Sequence, residues 1–189
     1  AQLDRFLLKV AIAAPRLDDL LRIVERTTGG TKSEVPAAAD AATVLAMQAL
    51  VREVAEASSG PEEVEIRYTA QRTQLHGRRA HLASVLGNLV ENAQQHAAPG
   101  TGITVRVSDA AGDRVRVEVH NHGAAISEAN LPRIWDRFFT TRGDRGGTGL
   151  GLPIVASVVS AHGGTLSVTS SEAEGTTFAF ELPATGRAE

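Results

Sequence analysis

Apolar residues recur at spacings of three and four between residues 78 and 97. Leu82, Val85, Leu86, Leu89, Ala93 and Ala97 fall on one stripe, which predicts a helix with one buried face. Asn88, Asn92 and His96 recur every four residues and so form a polar row beside that stripe. Asn is a mediocre helix former. Two of them one turn apart, next to a core stripe, therefore ask for a chemical reason.

The pattern changes period after Ala97-Ala98-Pro99-Gly100, which stops the helix. Residues 103–108 and 114–120 alternate apolar and polar positions around Ala110-Ala111-Gly112-Asp113, predicting a β-hairpin. Ile103, Val105, Val107, Val115, Val117 and Val119 face one way and Thr104, Arg106, Arg114, Arg116 and Glu118 the other. A sheet with one apolar face needs helices on it, so the expected fold is α+β, a two-layer sandwich. Residues 64–68 read as another strand and residues 73–76 as a short one. Residues 152–162 read as a helix closed by Gly163-Gly164, and residues 165–170 and 176–182 as a closing hairpin.

Upstream, Leu3, Leu7, Val10, Ala14, Leu17, Leu21 and Val24 step by four and three alternately, a coiled-coil seam over residues 1–26 that needs a partner. Pro15 should kink it. Gly29 to Ser33 reads as a hinge. Val44, Met47, Leu50, Val51 and Val54 predict a further helix over residues 37–57. The expected division is a partial dimerisation helix at 1–28, a catalytic domain at 29–183 and a disordered tail at 184–189.

Composition narrows the function classes. Among 189 residues, 42% are hydrophobic and 22% charged, as in soluble globular proteins. The net charge of −3 and the lack of a Lys/Arg block argue against a nucleic-acid partner. With no Cys, disulfides and thiolate metal sites are excluded. No apolar run reaches the ~20 residues that cross a bilayer, and no signal peptide is visible; the expected location is cytoplasmic. The chain opens Ala1-Gln2-Leu3-Asp4 without an initiator Met and already mid-pattern, so a piece of a longer protein is expected.

Four segments carry candidate chemistry in a fixed order. They are Gly87 to His96, Asn121-His122-Gly123, Arg133 to Arg142, and Gly146 to Leu152. Together they resemble the N box, first glycine box, F box and second glycine box of the catalytic ATP-binding domain of sensor histidine kinases. That domain belongs to a wider ATPase superfamily with gyrase, Hsp90 and MutL. The resemblance runs from about Ser33 to Pro183, and it implies ATP and Mg²⁺ as cofactors. Asn92 would be the Mg²⁺ ligand, since Mg²⁺ takes only one or two protein oxygens, and Asn88 would line the phosphate channel. In hydrolysing relatives the Asn88 position is a Glu that activates water. An amide cannot serve as that base, which favours phosphoryl transfer to another acceptor. His96 matches a position near the phosphates, with a plain surface His as the competing reading.

Backbone amides of Gly147, Thr148, Gly149, Leu150 and Gly151, with Leu152 opening the next helix, would hold phosphate oxygens. Residues Thr141 to Gly147 would form a lid, with Thr141 among the nucleotide contacts. Arg137 and Arg142 are candidates for the outer phosphates. Trp135, Phe138 and Phe139 are read mostly as hydrophobic packing.

The first glycine box departs from the family pattern. Asn121 stands where an Asp accepts the adenine amino group, and Ala125 replaces its second Gly, with Gly123 retained. Neutral hydrogen bonds are weaker than charged ones by ~1 kcal/mol, so weaker nucleotide binding is expected. His120 and His122 flank this box and are expected to point to opposite sides, which would leave no metal site.

None of the six His sits in the phosphoacceptor pattern. The acceptor would lie upstream of Ala1, because residues 16–26 resemble the second helix of a dimerisation and phosphoacceptor hairpin. The resemblance thus implies a histidine kinase core that dimerises through residues 1–26. It would serve a response-regulator receiver domain, and any membrane anchor would lie in the parent protein. The alternatives are a pseudokinase module that binds nucleotide weakly, motivated by Asn121 and Ala125, and an anti-sigma-type serine or threonine kinase.

Overall fold

The computed structural model describes residues 43–58, 60–141 and 148–187. The expected helix over residues 1–26 and the hinge lie outside these residues.

The elements follow in order as β1 (Thr43–Ala46), α1 (Met47–Ala57), β2 (Val64–Tyr68), β3 (Arg72–Gly77), α2 (Arg79–His96), β4 (Ile103–Ala110), β5 (Arg114–Asn121), α3 (Gly151–Ala161), β6 (Thr165–Ser171) and β7 (Gly175–Arg187). Seven strands form one mixed sheet in the order β1-β3-β7-β5-β4-β2, with β6 pairing β7. β2 and β4 run parallel. The other pairs are antiparallel. α2 packs between α1 and α3 on one face of this sheet, giving the expected α/β layering.

The hairpin forms in full register from Ile103↔Asn121 to Ala110↔Arg114. Its turn places Gly112 and Asp113 at φ 69° and 53°, a left-handed region that Gly and Asp tolerate better than most residues. Val105, Val107, Val115, Val117 and Val119 are at most 1% exposed. Leu82, Val85, Leu86, Leu89 and Ala93 of α2 close over them with Phe178, Phe180 and Leu182 of β7. Ala97, expected on that stripe, is instead half-buried at the helix C-cap. The outer face carries ion pairs instead: Arg116 reaches both Glu118 and Glu181 at 3.0 Å. Such pairs, still open to solvent on one side, add only about 1 kcal/mol each, so the apolar layer dominates stability.

Two expectations change. Val44, expected in a helix, instead pairs with His76 in β1, and α1 begins at Met47. The run Thr43-Val44-Leu45 contains β-branched residues that lose χ1 freedom in a helix, and the unpaired edge of β3 supplies ladder partners. Residues 184–187, expected within a disordered tail, continue β7, where Leu75 pairs with Ala184 and Arg72 with Arg187. Ladder pairing with β3 overrides a composition that alone carries no strand signal.

Candidate functional site

A cavity of about 520 Å³ opens between α2, the end of β5 and the start of α3. The polar row of α2 forms one wall, and Asn88, Asn92 and His96 all line it. They do so because the apolar stripe one step round the helix is held in the core, so the next row is turned to the cavity rim. Asn88 is held in place: its Nδ2 donates to the Ser84 carbonyl at 2.8 Å and to Ser84 Oγ at 3.2 Å.

The opposite wall is the N-terminus of α3. Gly151, Leu152 and Pro153 line the cavity, and among the described residues no side chain caps the helix. The first amides of a helix have no partner within it, so this end presents donors and the positive end of the helix dipole. The two walls meet at Gly151. A Cβ on Gly151 would stand 2.8 Å from Asn88 Oδ1, so glycine there lets the Asn88 amide sit against the start of α3.

The two flanking motifs meet on their backbones. Phe138 N donates to the Gly149 carbonyl at 2.9 Å. Gly149 has φ 65°, and a Cβ there would stand 2.5 Å from the Phe138 carbonyl carbon. Both the angle and the approach require glycine. Phe138 itself has φ 65° and is 63% exposed, so the packing role expected for it does not hold. Trp135 and Phe139 do pack: Trp135 meets Phe178 edge to face, 6.0 Å between centroids, and the Arg133 guanidinium lies 4.6 Å over Phe139.

Asn121 ends β5 on its inward face and is 2% exposed. Its side chain lines the cavity and finds no hydrogen-bond partner among the described residues. Its backbone is fixed from two sides. A Cβ on Gly175 would overlap the Asn121 carbonyl oxygen, and one on Gly123 would overlap that of His96. Ala98 N also donates to the His122 carbonyl at 2.6 Å, pinning this loop to the end of α2.

Of the residues expected at the site, Asn88, Asn92, His96, Asn121, Thr141, Thr148, Gly149, Gly151 and Leu152 line one cavity. Ala125 lines it too. Gly123 and Leu150 shape it from behind, and exposed Arg137 is not part of its wall. Arg142 and Gly147 lie outside the described residues. Sequence reasoning missed Thr176 and Phe178, which also line the cavity. Thr176 is the register partner of Asn121, so its inward face follows once the β5–β7 pairing is known. Its hydroxyl lies 2.7 Å from Ser170 Oγ, which accepts from Ile126 N at 2.8 Å. That chain ties the loop after β5 to the sheet.

His120 and His122 do not diverge as expected. Residues two apart on a strand share a face, and both point to the outer side of the sheet. Their Nε2 atoms are 3.4 Å apart. Burial, and then the neighbouring His122 and Arg106 charges, hold His120 below the usual imidazole range.

A family model described as the histidine kinase-, DNA gyrase B-, and HSP90-like ATPase matches residues 77–186. The chain belongs to this ATPase family. Nucleotide use comes with that membership. The chain is 40% identical over 133 residues to the sensor histidine kinase CusS of Escherichia coli (strain K12). The match covers 68% of this chain and 27% of CusS, so the chain spans about a quarter of that relative. Among solved structures it is similar to the mycobacterial sensor histidine kinase MprB, with TM-score 0.67, 25% identity and coverage of 76% of this chain and 97% of that one. It is also similar to the catalytic domain of histidine kinase ThkA, with TM-score 0.64, 30% identity and coverage of 75% and 95%. The ATPase-family match includes α2, the end of β5, α3 and most of β7, hence every element that borders the cavity. No helix among the described residues is long and apolar enough to cross a membrane.

Proposed function

We propose that the cavity binds Mg²⁺·ATP and that the chain is the kinase core of a two-component sensor histidine kinase. One observation carries this reading: Asn88 on α2 meets the uncapped start of α3 at Gly151, across a cavity that Asn92 and Asn121 also line. Anion-binding amides, a neutral oxygen ligand for a hard cation and a buried amide for a base edge are thereby gathered in one place.

The donor set fits Mg²⁺. Asn92 lines the cavity, is half-exposed, and has no hydrogen-bond partner among the described residues. Its carbonyl oxygen is thus open to a cation that prefers oxygen and keeps most of its waters. When bound, Mg²⁺ supplies charge neutralisation between the phosphates. The chain's own residues do the rest. The α3 amides and Gly149 cradle the phosphates, Asn88 orients them from the α2 side, and Asn121 accepts from the adenine amino group. Arg137 and Arg142 are the proposed contacts to the outer phosphates.

The acceptor is a histidine upstream of Ala1. Its imidazole nitrogen forms a bond to the γ-phosphorus as the bond to the ADP oxygen breaks. Positioning, not acid–base chemistry at Asn88, drives the step. The phosphoryl group then passes to an Asp of a response regulator, with residues 1–26 forming the dimer seam. A cytoplasmic location is proposed with it, since ATP and receiver domains are found there.

Calorimetry with Mg²⁺ and a non-hydrolysable ATP analogue tests the reading. The wild-type chain binds one equivalent, and Asn92→Ala loses at least about tenfold in affinity, the weight of one contact to a charged group. Equal, millimolar-or-weaker affinity in both would favour a pseudokinase instead.

A further inference from the structure

We infer that the base end of the cavity takes guanine as well as adenine, because among the described residues nothing fixes which end of the Asn121 amide faces the ligand. The inference rests on the nucleotide reading above and names a second purine for the same site.

The cavity treats its amides in two ways. Asn88 is locked: its Nδ2 donates to the Ser84 carbonyl and to Ser84 Oγ, which leaves Oδ1 towards Gly151. Asn121 is placed but not locked. Its backbone pairs with Thr176 across the sheet, and the residue is 2% exposed. Its side-chain amide has no hydrogen-bond partner among the described residues. The facing Thr176 does not hold it, since that hydroxyl pairs with Ser170 Oγ at 2.7 Å. Glycine at position 123 leaves room on the Nδ2 side, where a Cβ would stand 3.3 Å from that nitrogen. The last torsion of an Asn side chain is broad and roughly two-fold, so the amide can turn end for end in its place.

That freedom matters because the two purines present opposite edges. Adenine offers an amino donor beside a ring-nitrogen acceptor. Guanine offers a carbonyl acceptor beside a ring N–H. A primary amide carries both an acceptor and a donor. With Oδ1 on the amino group it meets adenine, and after turning, with Nδ2 on the carbonyl, it meets guanine. A carboxylate only accepts. It suits the adenine amino group but sets an oxygen against the guanine carbonyl, so Asp at position 121 would select against guanine where Asn121 admits it.

The test is calorimetry of the 189-residue chain with Mg²⁺ and three probes: non-hydrolysable analogues of ATP and of GTP, and tripolyphosphate, which has no base. Wild-type affinities for the two analogues should lie within about tenfold of each other, the span of one neutral hydrogen bond, with tripolyphosphate at least about tenfold weaker than either. Asn121→Asp should weaken the guanosine analogue by about 5- to 150-fold, the weight of a buried acceptor left unpaired, and should not weaken the adenosine analogue. A wild-type chain that holds the adenosine analogue but binds the guanosine analogue no better than tripolyphosphate would overturn the inference and leave the nucleotide reading standing. An adenosine analogue bound no better than tripolyphosphate would remove both. Guanosine affinity unchanged in Asn121→Asp, or an equal loss for both analogues, would refute the role given to Asn121. The wild-type comparison needs no variant, so it decides the matter even where the buried Asp unfolds the chain.

Discussion

Gly151→Ala separates what the site needs from what the fold needs. Gly151 is the first residue of α3, where alanine gains up to about 0.5–1 kcal/mol in helix propensity over glycine. The added Cβ would stand 2.8 Å from Asn88 Oδ1 and no closer than 3.7 Å to any other atom. That oxygen is the end of a side chain, so it can yield by several tenths of an ångström. Its movement strains the Asn88 hydrogen bonds to Ser84, at 2.8 and 3.2 Å, worth about 0.5–1.5 kcal/mol each. Gain and cost nearly cancel, and the folded state should change by less than about 1 kcal/mol. Nucleotide affinity has no such compensation. Turning the amide away removes a contact to a charged phosphate, about 1.5–3 kcal/mol, or roughly 10- to 150-fold. Thermal unfolding and calorimetry with Mg²⁺ and a non-hydrolysable ATP analogue give the two readings on one sample. Affinity unchanged within twofold would refute the reasoning, and so would a large loss of stability. Asn88→Ala should reproduce the affinity loss without the helix gain.

Three other outcomes follow from the same geometry. Gly149→Ala forces a left-handed alanine, about 1–2 kcal/mol, onto the Phe138 backbone, with an overlap of about 1–3 kcal/mol more. Its unfolding midpoint should fall by several degrees in a thermal scan. Gly87→Ala, in the middle of α2 with nothing within 4 Å of its Cβ position, should stabilise by about 0.5–1 kcal/mol in denaturant unfolding. Asn121→Asp places a charge at a position 2% exposed. It should lower the stability of the nucleotide-free chain yet tighten adenine nucleotide binding by about fivefold, the ~1 kcal/mol between charged and neutral hydrogen bonds. Equal affinity for Asn121→Asp and wild type would remove Asn121 from the base contact.

What could be read in the sequence was whatever a period determines. The α2 stripe and its amide row follow from the 3.6-residue repeat, and the β4–β5 hairpin from alternation, and both stand within a residue or two of their expected bounds. Motif order gave the family. The strand failures share a cause, which is partner strands remote in sequence. β1 and the end of β7 are strands because β3 lies beside them; the sequence read residues 73–76 as a short strand, but not which remote segments it would pair with. Thr176 enters the site only through its pairing with Asn121. The histidine pair was a different failure: positions two apart on a strand share a side, and the expectation of divergence misapplied that period. Phe138 was read as core by its type, whereas its left-handed backbone turns it outward.

The most direct measurement is a crystal structure of the chain grown with Mg²⁺ and a non-hydrolysable ATP analogue. The account predicts the triphosphate between the Asn88 and Asn92 side chains and the first amides of α3, with the adenine edge on Asn121. Density for the nucleotide anywhere else, or Asn92 turned away from the bound metal, would contradict it.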